Sequence, residues 1–334
     1  MSKALYRKYR SKKLSEVVGQ KHITTVLENA LKQGKIAHAY LFTGPRGVGK
    51  TSIARILAHE INNLPYSEED NHPDIIEIDA ASNNGVDDIR QLRDNVQVAP
   101  FSAKYRVYII DEVHMLSKAA FNALLKTLEE PPEHAVFILA TTDAHKLPAT
   151  IISRTQRFVF RFISKEDVCA HLEFIAKNEK INISREAIEI IAERGEGSFR
   201  DSISLLDQIS SIAEKNKEIT ANLLEEALGL APKAQINALI SAFENQDSNE
   251  ILRIVRDIRS SGVDLKNFAS QLLNFITEKI GEKPYLSQFL VPLTRAEKSN
   301  FIEMELLSIF IQPSFTPQFS INQNISPQVQ QKTI

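Results

Sequence analysis

The stretch GPRGVGKT, residues 44–51, constrains the fold of this 334-residue chain more than any other feature. An apolar segment typical of a strand, AYLF (39–42), precedes it, and a segment with helical periodicity, KTSIARILAHEI (50–61), follows it. The stretch matches the pattern G-x-x-x-x-G-K-[ST] in the strand-to-helix context that a phosphate-binding loop requires. Glycines let backbone N–H groups close around phosphate oxygens, and the following helix directs its positive end at them. The sequence therefore predicts a nucleotide-phosphate site.

The residues of this loop have expected roles in phosphate and metal binding. We expect Lys50 to reach the β- and γ-phosphates and Thr51 to ligate Mg²⁺. A chance glycine-rich turn is the alternative, and the flanking strand and helix argue against it. The turn that would surround the phosphates consists of Gly44, Pro45, Arg46, Gly47, Val48 and Gly49, with Arg46 and Val48 as spacers.

Between residues 20 and 162 short apolar runs alternate with helical patterns. This alternation is typical of an α/β domain in which helices cover a parallel sheet. A helix is predicted from Ser117, which caps its start, to the pair Pro131-Pro132, which stops it, and another over residues 20–34. The predicted strands are AYLF (39–42), IIEID (75–79), RVYIID (106–111), AVFILATT (135–142) and RFVFRF (157–162).

After Ile163 only helical patterns remain. Three of them open on a serine that can cap a helix, namely Ser164, Ser184 and Ser198. We therefore expect a nucleotide-binding domain over residues 1–163, a small helical lid domain over 164–228, an all-helical domain over 229–312 that includes a last segment near 285–311, and a flexible tail over 313–334. The tail is rich in Gln, Asn, Ser and Pro, a composition that cannot bury a core.

Composition limits the classes of function. The chain is 43% hydrophobic and 25% charged, which is typical of a globular protein, and its formal net charge is −2. That charge argues against coating of nucleic acid by bulk electrostatics, so any DNA contact must be local. The single cysteine, Cys169, excludes an intramolecular disulfide and a multi-thiolate metal site. No apolar run approaches the ~18 residues of a membrane span, and we expect a cytoplasmic protein with no membrane partner.

Two further apolar strands end in polar residues. RVYIID runs out at Asp111-Glu112, and a carboxylate at a strand end beside a phosphate loop is where phosphoryl-transfer enzymes hold Mg²⁺. We assign Asp111 to the metal and Glu112 to the attacking water. FILATT ends at Thr142, which could position that water, although threonine is also common at strand ends. Two acids that merely start a turn are the alternative for the first pair.

Two arginines outside these strand ends are also candidates. Arg200 is predicted in the first turn of a helix, where a cation opposes the helix dipole, and an anionic partner would explain it. A salt bridge to Asp201 or Glu196 is the alternative. Arg154, in SRTQRF (153–158), admits three uses: surface charge, a nucleic-acid contact, or a catalytic cation for a phosphate held elsewhere.

Taken together, these motifs resemble the AAA+ gamma/tau subunits of the bacterial DNA polymerase III clamp loader. The resemblance is dense over residues 4–210 and looser beyond them. It rests on the succession ALYRKYR, VVGQ, GPRGVGKTSIAR, IIEIDAASNNGVDDIRQL, YIIDEVHML, ALLKTLEEPP, FILATTD, SRT and GSFRDSISLLDQ. It implies an AAA+ fold with a lid and a helical collar that mediates oligomerisation, and an ATP- and Mg²⁺-dependent motor subunit that opens a sliding clamp and loads it onto primed DNA.

The resemblance also implies roles for single residues. It makes Lys50 and Thr51 the Walker A pair, and Asp111 and Glu112 the Walker B pair. It implies Thr142 as sensor 1, Arg200 as sensor 2, and Arg154 as an arginine finger that acts on the nucleotide of a neighbouring subunit. It implies that the adenine pocket is lined by Tyr6, Arg10, Val17 and Val18, for which a basic arm packed on the sheet by two core valines is the alternative.

The chain departs from the family pattern in two places. The interval HEINNLPYSEEDNHPD (59–74) lacks the four cysteines of the family's zinc module, and we expect no zinc. His72 with Glu68, Glu69 and Asp70 has the ligand types for a hard cation, but an acidic solvated loop is favoured. Thr155 stands where the finger motif usually has cysteine. The chain also resembles the short gamma form more than the long tau form.

The resemblance implies partners as well. These are copies of the chain itself, delta- and delta-prime-like subunits, the sliding clamp and primed DNA, with the chain in the cytoplasm at the replisome. No carboxylate constellation for nucleotidyl transfer is visible, so no polymerase active site is expected in this accessory subunit of the DNA-directed DNA polymerase. A stator subunit that offers a finger but does not hydrolyse ATP, and another AAA+ DNA motor, are the alternatives.

Overall fold

A computed structural model describes residues 3–66, 72–83, 85–212 and 217–311. Within them the chain forms two compact units that divide between Leu224 and Glu225. The predicted boundary between residues 163 and 164 falls inside the first unit. The predicted tail (313–334) and the acidic residues Glu68, Glu69 and Asp70 lie outside the described residues.

The first unit contains a five-stranded sheet. The strands are β1 (Ala39–Thr43), β2 (Ile75–Asp79), β3 (Arg106–Asp111), β4 (Ala135–Thr141) and β5 (Gln156–Val159). Their order is β2-β3-β4-β1-β5, and every neighbouring pair is parallel. All five predicted strands are therefore confirmed, and their carboxyl ends meet at one edge of the sheet.

Strand β5 is shorter than predicted. The apolar run suggested residues 157–162, whereas the strand ends at Val159. In the sheet order β5 has β1 as its one neighbour, and their pairing ends with Thr43 beside Val159 because β1 itself ends there. A strand at the sheet edge has no second partner to extend its ladder, so its length follows that of its neighbour.

Helices cover both faces of this sheet and continue beyond it. The helices of the first unit are α1 (Leu5–Lys8), α2 (Lys21–Lys32), α3 (Lys50–Ile61), α4 (Val86–Val96), α5 (Lys118–Glu129), α6 (Ala149–Ile152), α7 (Lys165–Glu179), α8 (Arg185–Arg194) and α9 (Phe199–Ile212). The predicted caps are confirmed: the side chains of Ser117, Ser164 and Ser184 accept a hydrogen bond from the backbone three residues on, and Ser198 does the same for Asp201. Helix α10 (Ala221–Ala227) runs across the division between the units.

Side chains of the central strands alternate between two cores. Leu41, Tyr108, Ile110, Phe137 and Leu139 point to the face covered by α4 and α5, where they join one buried cluster. The residues that alternate with these along the same strands face α3. Because both faces are covered, β1 and β4 are buried at every position. This rigid double-layered packing fixes the strand ends that carry the polar residues.

The second unit is built from helices. They are α11 (Lys233–Glu244), α12 (Ser248–Ser260), α13 (Leu265–Lys279), α14 (Leu290–Ala296) and α15 (Ile302–Ile311) around a core of its own. In α12 the buried residues Ile251, Ile254, Val255 and Ile258 form one stripe at helical spacing. The predicted last segment, 285–311, is interrupted: a 3₁₀ helix, Pro284–Phe289, precedes α14. None of the described helices is both long and apolar enough to cross a bilayer.

Candidate nucleotide site

A pocket of about 340 Å³ lies at the carboxyl edge of the sheet in the first unit. It gathers residues from the phosphate loop, from the end of β3, from the amino-terminal arm and from the first turn of α9. Predicted site residues that line it are Tyr6, Arg10, Val17, Val18, Arg46, Gly47, Val48, Gly49, Lys50, Thr51, Asp111, Glu112 and Arg200. Gly44 and Pro45 reach the same site through their carbonyl oxygens, which bind Lys50.

The loop folds back on its own lysine. Lys50 Nζ donates hydrogen bonds to the carbonyl oxygens of Gly44 (2.8 Å) and Pro45 (2.6 Å), and the residue is 6% exposed. Burial lowers the pKa of Lys50, and the nearby carboxylates of Glu112 and Asp111 oppose this shift. The Lys50 ammonium is therefore held by two neutral carbonyl groups, and negatively charged phosphate oxygens would be stronger hydrogen-bond acceptors for it.

The loop requires glycine at its closest approach to the helical part of the unit. Gly47 has φ +75, and a Cβ added there would lie 1.8 Å from Ser198 Oγ and 3.5 Å from Arg200 Cβ. Gly49, the residue before α3, has φ +97, a left-handed conformation that lets the helix begin directly at Lys50. The first turn of α3 therefore faces the pocket.

Thr51, in the first turn of α3, contacts Asp111 at the end of β3, although β4 lies between β3 and the strand that precedes α3. Thr51 Oγ1 donates to Asp111 Oδ2 at 2.7 Å. Burial raises the pKa of the Asp111 carboxyl, and hydrogen bonds from Thr51 and from the Glu112 backbone oppose this shift. A hydroxyl and a carboxylate are oxygen ligands of the kind that Mg²⁺ uses together with phosphates, so this pair fits the ion that the sequence implies.

Glu112 turns its carboxylate toward the end of β4. Its backbone is left-handed (φ 47, ψ 44), which ends the strand and starts a 3₁₀ turn over Val113–Met115. Oε2 accepts hydrogen bonds from the backbone N–H of Thr142 (3.1 Å) and from its hydroxyl (3.0 Å). The two residues assigned to the attacking water are thus in direct contact, although Thr142 follows a different strand.

Arg200 occupies the first turn of α9 as predicted. Its guanidinium carbon lies 5.3 Å from the centre of the Tyr6 ring, a cation–π contact between the helix and the amino-terminal arm. No ion pair of Arg200 is found within the described part of the chain, so the proposed salt bridge to Asp201 or Glu196 does not form there. The hydrogen bond from Arg7, and more weakly the charge of Arg200, lowers the pKa of Tyr6.

The structure adds pocket residues that the sequence did not indicate. Aromatic groups from three elements line one side: Tyr9 from the arm, His171 from α7 and Phe199 from α9. The rings of His171 and Phe199 are 4.9 Å apart, and burial lowers the pKa of His171. Asp79, at the end of β2, also lines the pocket. Tyr9, His171 and Phe199 carry no local signal because only packing of the helices on the arm brings their rings together.

Arg154 lies apart from this pocket. It follows α6, and its guanidinium Nη2 is 2.8 Å from Glu129 Oε1 at the end of α5. The hydroxyl of Thr155 donates to the carbonyl oxygens of Ile151 (3.1 Å) and Ile152 (3.2 Å), which holds the turn beside Arg154. Threonine at this position therefore supports the turn through a hydroxyl that cysteine would replace with a weaker donor.

The interval that carries a zinc module in the resembling family has a carboxylate at its end. Asp74, buried, accepts backbone hydrogen bonds from Phe101 (2.6 Å), Ser102 (2.9 Å) and Ala103 (2.9 Å). His72 accepts from the Asp74 backbone through Nδ1. Among residues 3–66, 72–83, 85–212 and 217–311 no group of three or more His, Cys, Asp and Glu side chains is arranged for a metal ion.

Three family models match consecutive parts of the chain. Residues 19–164 match "DNA polymerase III, delta subunit", residues 167–214 match the ATPase lid domain of a DNA polymerase III clamp loader subunit, and residues 219–281 match domain III of DNA polymerase III subunits gamma and tau. Among solved structures, the RuvB Holliday junction branch migration motor of Thermotoga maritima aligns with TM-score 0.54 and 23% identity over 70% of this chain and 79% of that one. This likeness shows the AAA+ fold.

Curated relatives extend the match over most of the chain. The tau subunit of Bacillus subtilis DNA polymerase III is 44% identical over 291 residues, which are 83% of this chain and 51% of that protein. The tau subunit of Escherichia coli is 41% identical over 81% of this chain and 44% of that protein, so the chain spans about half the length of these relatives. The gamma subunit of Buchnera aphidicola is 39% identical over 81% of this chain and 78% of that protein. The chain belongs to the gamma/tau family of DNA polymerase III clamp loader subunits.

Proposed function

We propose that this chain is an ATP-hydrolysing motor subunit of a clamp loader, which opens a sliding clamp and places it on primed DNA. The observation that carries the proposal is the pocket in which Lys50, Thr51, Asp111 and Glu112 converge, with Thr142 hydrogen-bonded to Glu112. A subunit that only lends a finger to its neighbour needs none of these groups. Their joint presence favours hydrolysis over a stator role.

Lys50 and the loop would bind the phosphates. On ATP binding the ammonium of Lys50 would leave the neutral carbonyl oxygens of Gly44 and Pro45 for oxygens of the negatively charged β- and γ-phosphate groups. Thr51 and Asp111 would hold the metal. Bound Mg²⁺ would supply charge neutralisation of the phosphates in the transition state.

Glu112 would activate the attacking water, and Thr142 would position Glu112. In hydrolysis the water oxygen forms a bond to the γ-phosphorus while the bond from that phosphorus to the β–γ bridging oxygen breaks, so that ADP leaves and phosphate forms. The water's proton passes to the Glu112 carboxylate or through it to solvent. Thr142 would fix the carboxylate through its two hydrogen bonds.

Arg154 would act on a neighbour's nucleotide. It is absent from the lining of this pocket, and Glu129 holds it at the surface of its own chain. Arg200, by contrast, lines the pocket and would contact the γ-phosphate of the nucleotide bound to its own chain. We assign Arg154 as the finger in trans and Arg200 as the sensor in cis.

Adenine would lie at the end of the pocket formed by the arm. Tyr6, Arg10, Val17 and Val18 all line it, and the two valines are half-buried, as residues that flank a ligand would be. A role confined to packing the arm on the sheet leaves their exposure to the pocket unexplained. The aromatic groups Tyr9, His171 and Phe199 would complete this end.

The helical parts of the chain would have separate tasks. The match of residues 167–214 to a lid domain supports the proposed lid over 164–228, and the match of residues 219–281 to domain III supports a collar over 229–312. We propose that the collar joins copies of this chain and delta- and delta-prime-like subunits into a ring. That ring would act on the clamp at primed DNA.

The experiment is an ATPase assay on the assembled complex with and without primed DNA and clamp, preceded by an equilibrium nucleotide-binding assay on this chain. We expect micromolar ATP affinity, stimulated turnover, and clamp placed on DNA. Absence of ATP binding would favour the stator. ATP turnover stimulated by DNA but indifferent to the clamp would favour another AAA+ DNA motor.

A further inference from the structure

A histidine with no part in the proposed chemistry lies directly behind Glu112. His114 occupies the middle of the 3₁₀ turn Val113–Met115, and its side chain is only 8% exposed. The left-handed backbone of Glu112 and the burial of Val113 aim the imidazole across the sheet edge toward the end of β4. A buried polar ring at this place needs partners, and its two nitrogens face different groups.

Nδ1 faces the groups that border the attacking water. It lies 2.9 Å from Thr141 Oγ1 and 3.3 Å from Glu112 Oε2. A carboxylate oxygen only accepts hydrogen bonds, and Thr141 Oγ1 has a lone pair to spare beside the one that accepts from the Asp143 backbone at 3.0 Å. A proton on Nδ1 of a neutral ring would be donated to Thr141 Oγ1, the hydrogen-bond partner of that nitrogen, and would lie beside the carboxylate oxygen of Glu112.

The other nitrogen has a weaker contact. Nε2 lies 3.6 Å from Asp143 Oδ2, which exceeds hydrogen-bond length. Asp143 is engaged instead by Lys146 at 2.8 Å. The positional constraint on Glu112 thus comes from the Nδ1 side of the ring.

Two hydrogen bonds and one close imidazole nitrogen surround a single oxygen of Glu112. The backbone N–H and hydroxyl of Thr142 donate hydrogen bonds to Oε2, His114 Nδ1 lies 3.3 Å from the same atom, and no donor from the described residues is found on Oε1. Such a set fixes the rotation of the carboxylate and leaves Oε1 as the oxygen for water. We propose that His114 is a positioning residue: its Nδ1–H, braced by Thr141, sets the Glu112 carboxylate in the orientation that receives the attacking water.

The proposal rests on the proposed function, because it assumes that Glu112 acts on water. It is tested with four variants in the assembled complex. In His114→Asn an amide nitrogen replaces Nδ1, since both atoms are bonded to Cγ, whereas in His114→Gln the amide nitrogen stands in place of Nε2. His114→Ala removes both. The matched control is His145→Ala, whose ring is 77% exposed and lies 3.8 Å from the other oxygen of Asp143.

We expect His114→Ala and His114→Gln to lower kcat for stimulated ATP hydrolysis about 10- to 100-fold, the usual cost of losing a group that orients a catalytic one. His114→Asn should stay within about threefold of wild type, and His145→Ala should equal it. The dissociation constant for ATP should change less than about twofold in all of them, because no binding group is touched. A purely structural role would instead lower melting temperature and ATP affinity together, with Asn no better than Gln.

A second readout does not depend on hydrolysis. In ¹⁵N spectra of histidine-labelled chain, the two ring-nitrogen resonances of His114 are identified as the pair that disappears in His114→Asn. Their chemical shifts should show that the proton is on Nδ1. A proton on Nε2, equal kcat in His114→Ala and wild type, or equal losses in Asn and Gln would each overturn the proposal. If wild-type complex hydrolyses no ATP while the Nδ1 proton is present, the proposed function has failed and the ring geometry stands.

Discussion

The guanidinium of Arg154 and the carboxylate of Glu129 form an ion pair, with Nη2 2.8 Å from Oε1. The pair connects the turn after α6 with the end of α5 and lies outside the nucleotide pocket of its own chain. Both side chains are partly exposed, 34% and 48%, so solvent screens their attraction. The ion pair is thus weak, and Arg154 Nη1 also donates to the carbonyl oxygen of Thr150 at 3.0 Å.

Arg154→Ala should separate binding from turnover. We expect ATP affinity within about twofold of wild type and DNA- and clamp-stimulated turnover lower by about 10³, the usual contribution of an arginine finger. Arg157→Ala is the matched control, because that arginine is close in sequence but hydrogen-bonds to Thr43 at 3.3 Å. Unchanged stimulated turnover in the Arg154 variant would remove it from the catalytic residues.

Glu129→Gln should show whether the ion pair restrains the finger. Exposed ion pairs contribute at most about 1 kcal/mol, so we expect stimulated turnover to rise by no more than about fivefold and the melting temperature to stay constant. The measurement is turnover of the assembled complex against ATP concentration. A fall in turnover comparable with that of Arg154→Ala would mean that Glu129 supports the finger in its active position.

Lys50→Ala should weaken ATP binding without destabilising the fold. The Lys50 ammonium is the group that would contact the β- and γ-phosphates, so we expect affinity for ATP to fall at least about 100-fold. Burial lowers the pKa of Lys50, which means that the folded state disfavours its charged form at every pH below that pKa. The melting temperature of the variant without nucleotide should therefore equal or exceed that of wild type at pH 7, and a marked decrease would contradict this.

Asp74→Ala should be destabilising in a pH-dependent way. Burial raises the pKa of this carboxyl, but hydrogen bonds from the backbone of Ser102, Ala103 and Phe101 and the charge of His72 outweigh it, and the net shift is downward. A carboxyl with a lowered folded pKa stabilises the protein above its ordinary pKa of about 3.9, and this contribution is lost as pH falls through the folded value.

We expect Asp74→Ala to cost about 1–3 kcal/mol at pH 7, the penalty for leaving buried donors unpaired. Thermal melting of both proteins should show a constant gap between pH 7 and pH 5 and a narrowing gap below about pH 4. Asp87→Ala, an exposed acidic residue on α4, serves as the control. A gap that is independent of pH would assign the effect to packing.

Local features of the fold could be predicted from the sequence. Five strands and the capped starts of α5, α7 and α8 follow from apolar runs and from serines that bond their own helix, and such signals do not depend on the rest of the chain. The strand end at Val159 could not be predicted, because it is set by where β1 ends. The 3₁₀ helix before α14 could not be predicted either, because the apolar residues continue through it at helical spacing.

Some residues of the candidate site could also be predicted from local sequence, and others could not. Lys50, Thr51, Asp111 and Glu112 carry motif signals, and the structure brings them to one pocket. The sequence did not indicate His114, because the role proposed for it depends on a contact with Thr141 at the end of a different strand, β4. The ring of His171 reaches the pocket only through the packing of α7 against α9, a tertiary event that no spacing in the sequence encodes.

Gly47 gives the phosphate loop its contact with Ser198, and there is no room there for even one added carbon atom. The loop and the start of α9 therefore have no clearance between them. A movement of Gly47 toward α9 on phosphate binding would therefore displace Ser198, and with it the Arg200 that follows. Occupancy of the nucleotide pocket would then reach the proposed lid through the backbone of Gly47 as well as through the side chain of Arg200.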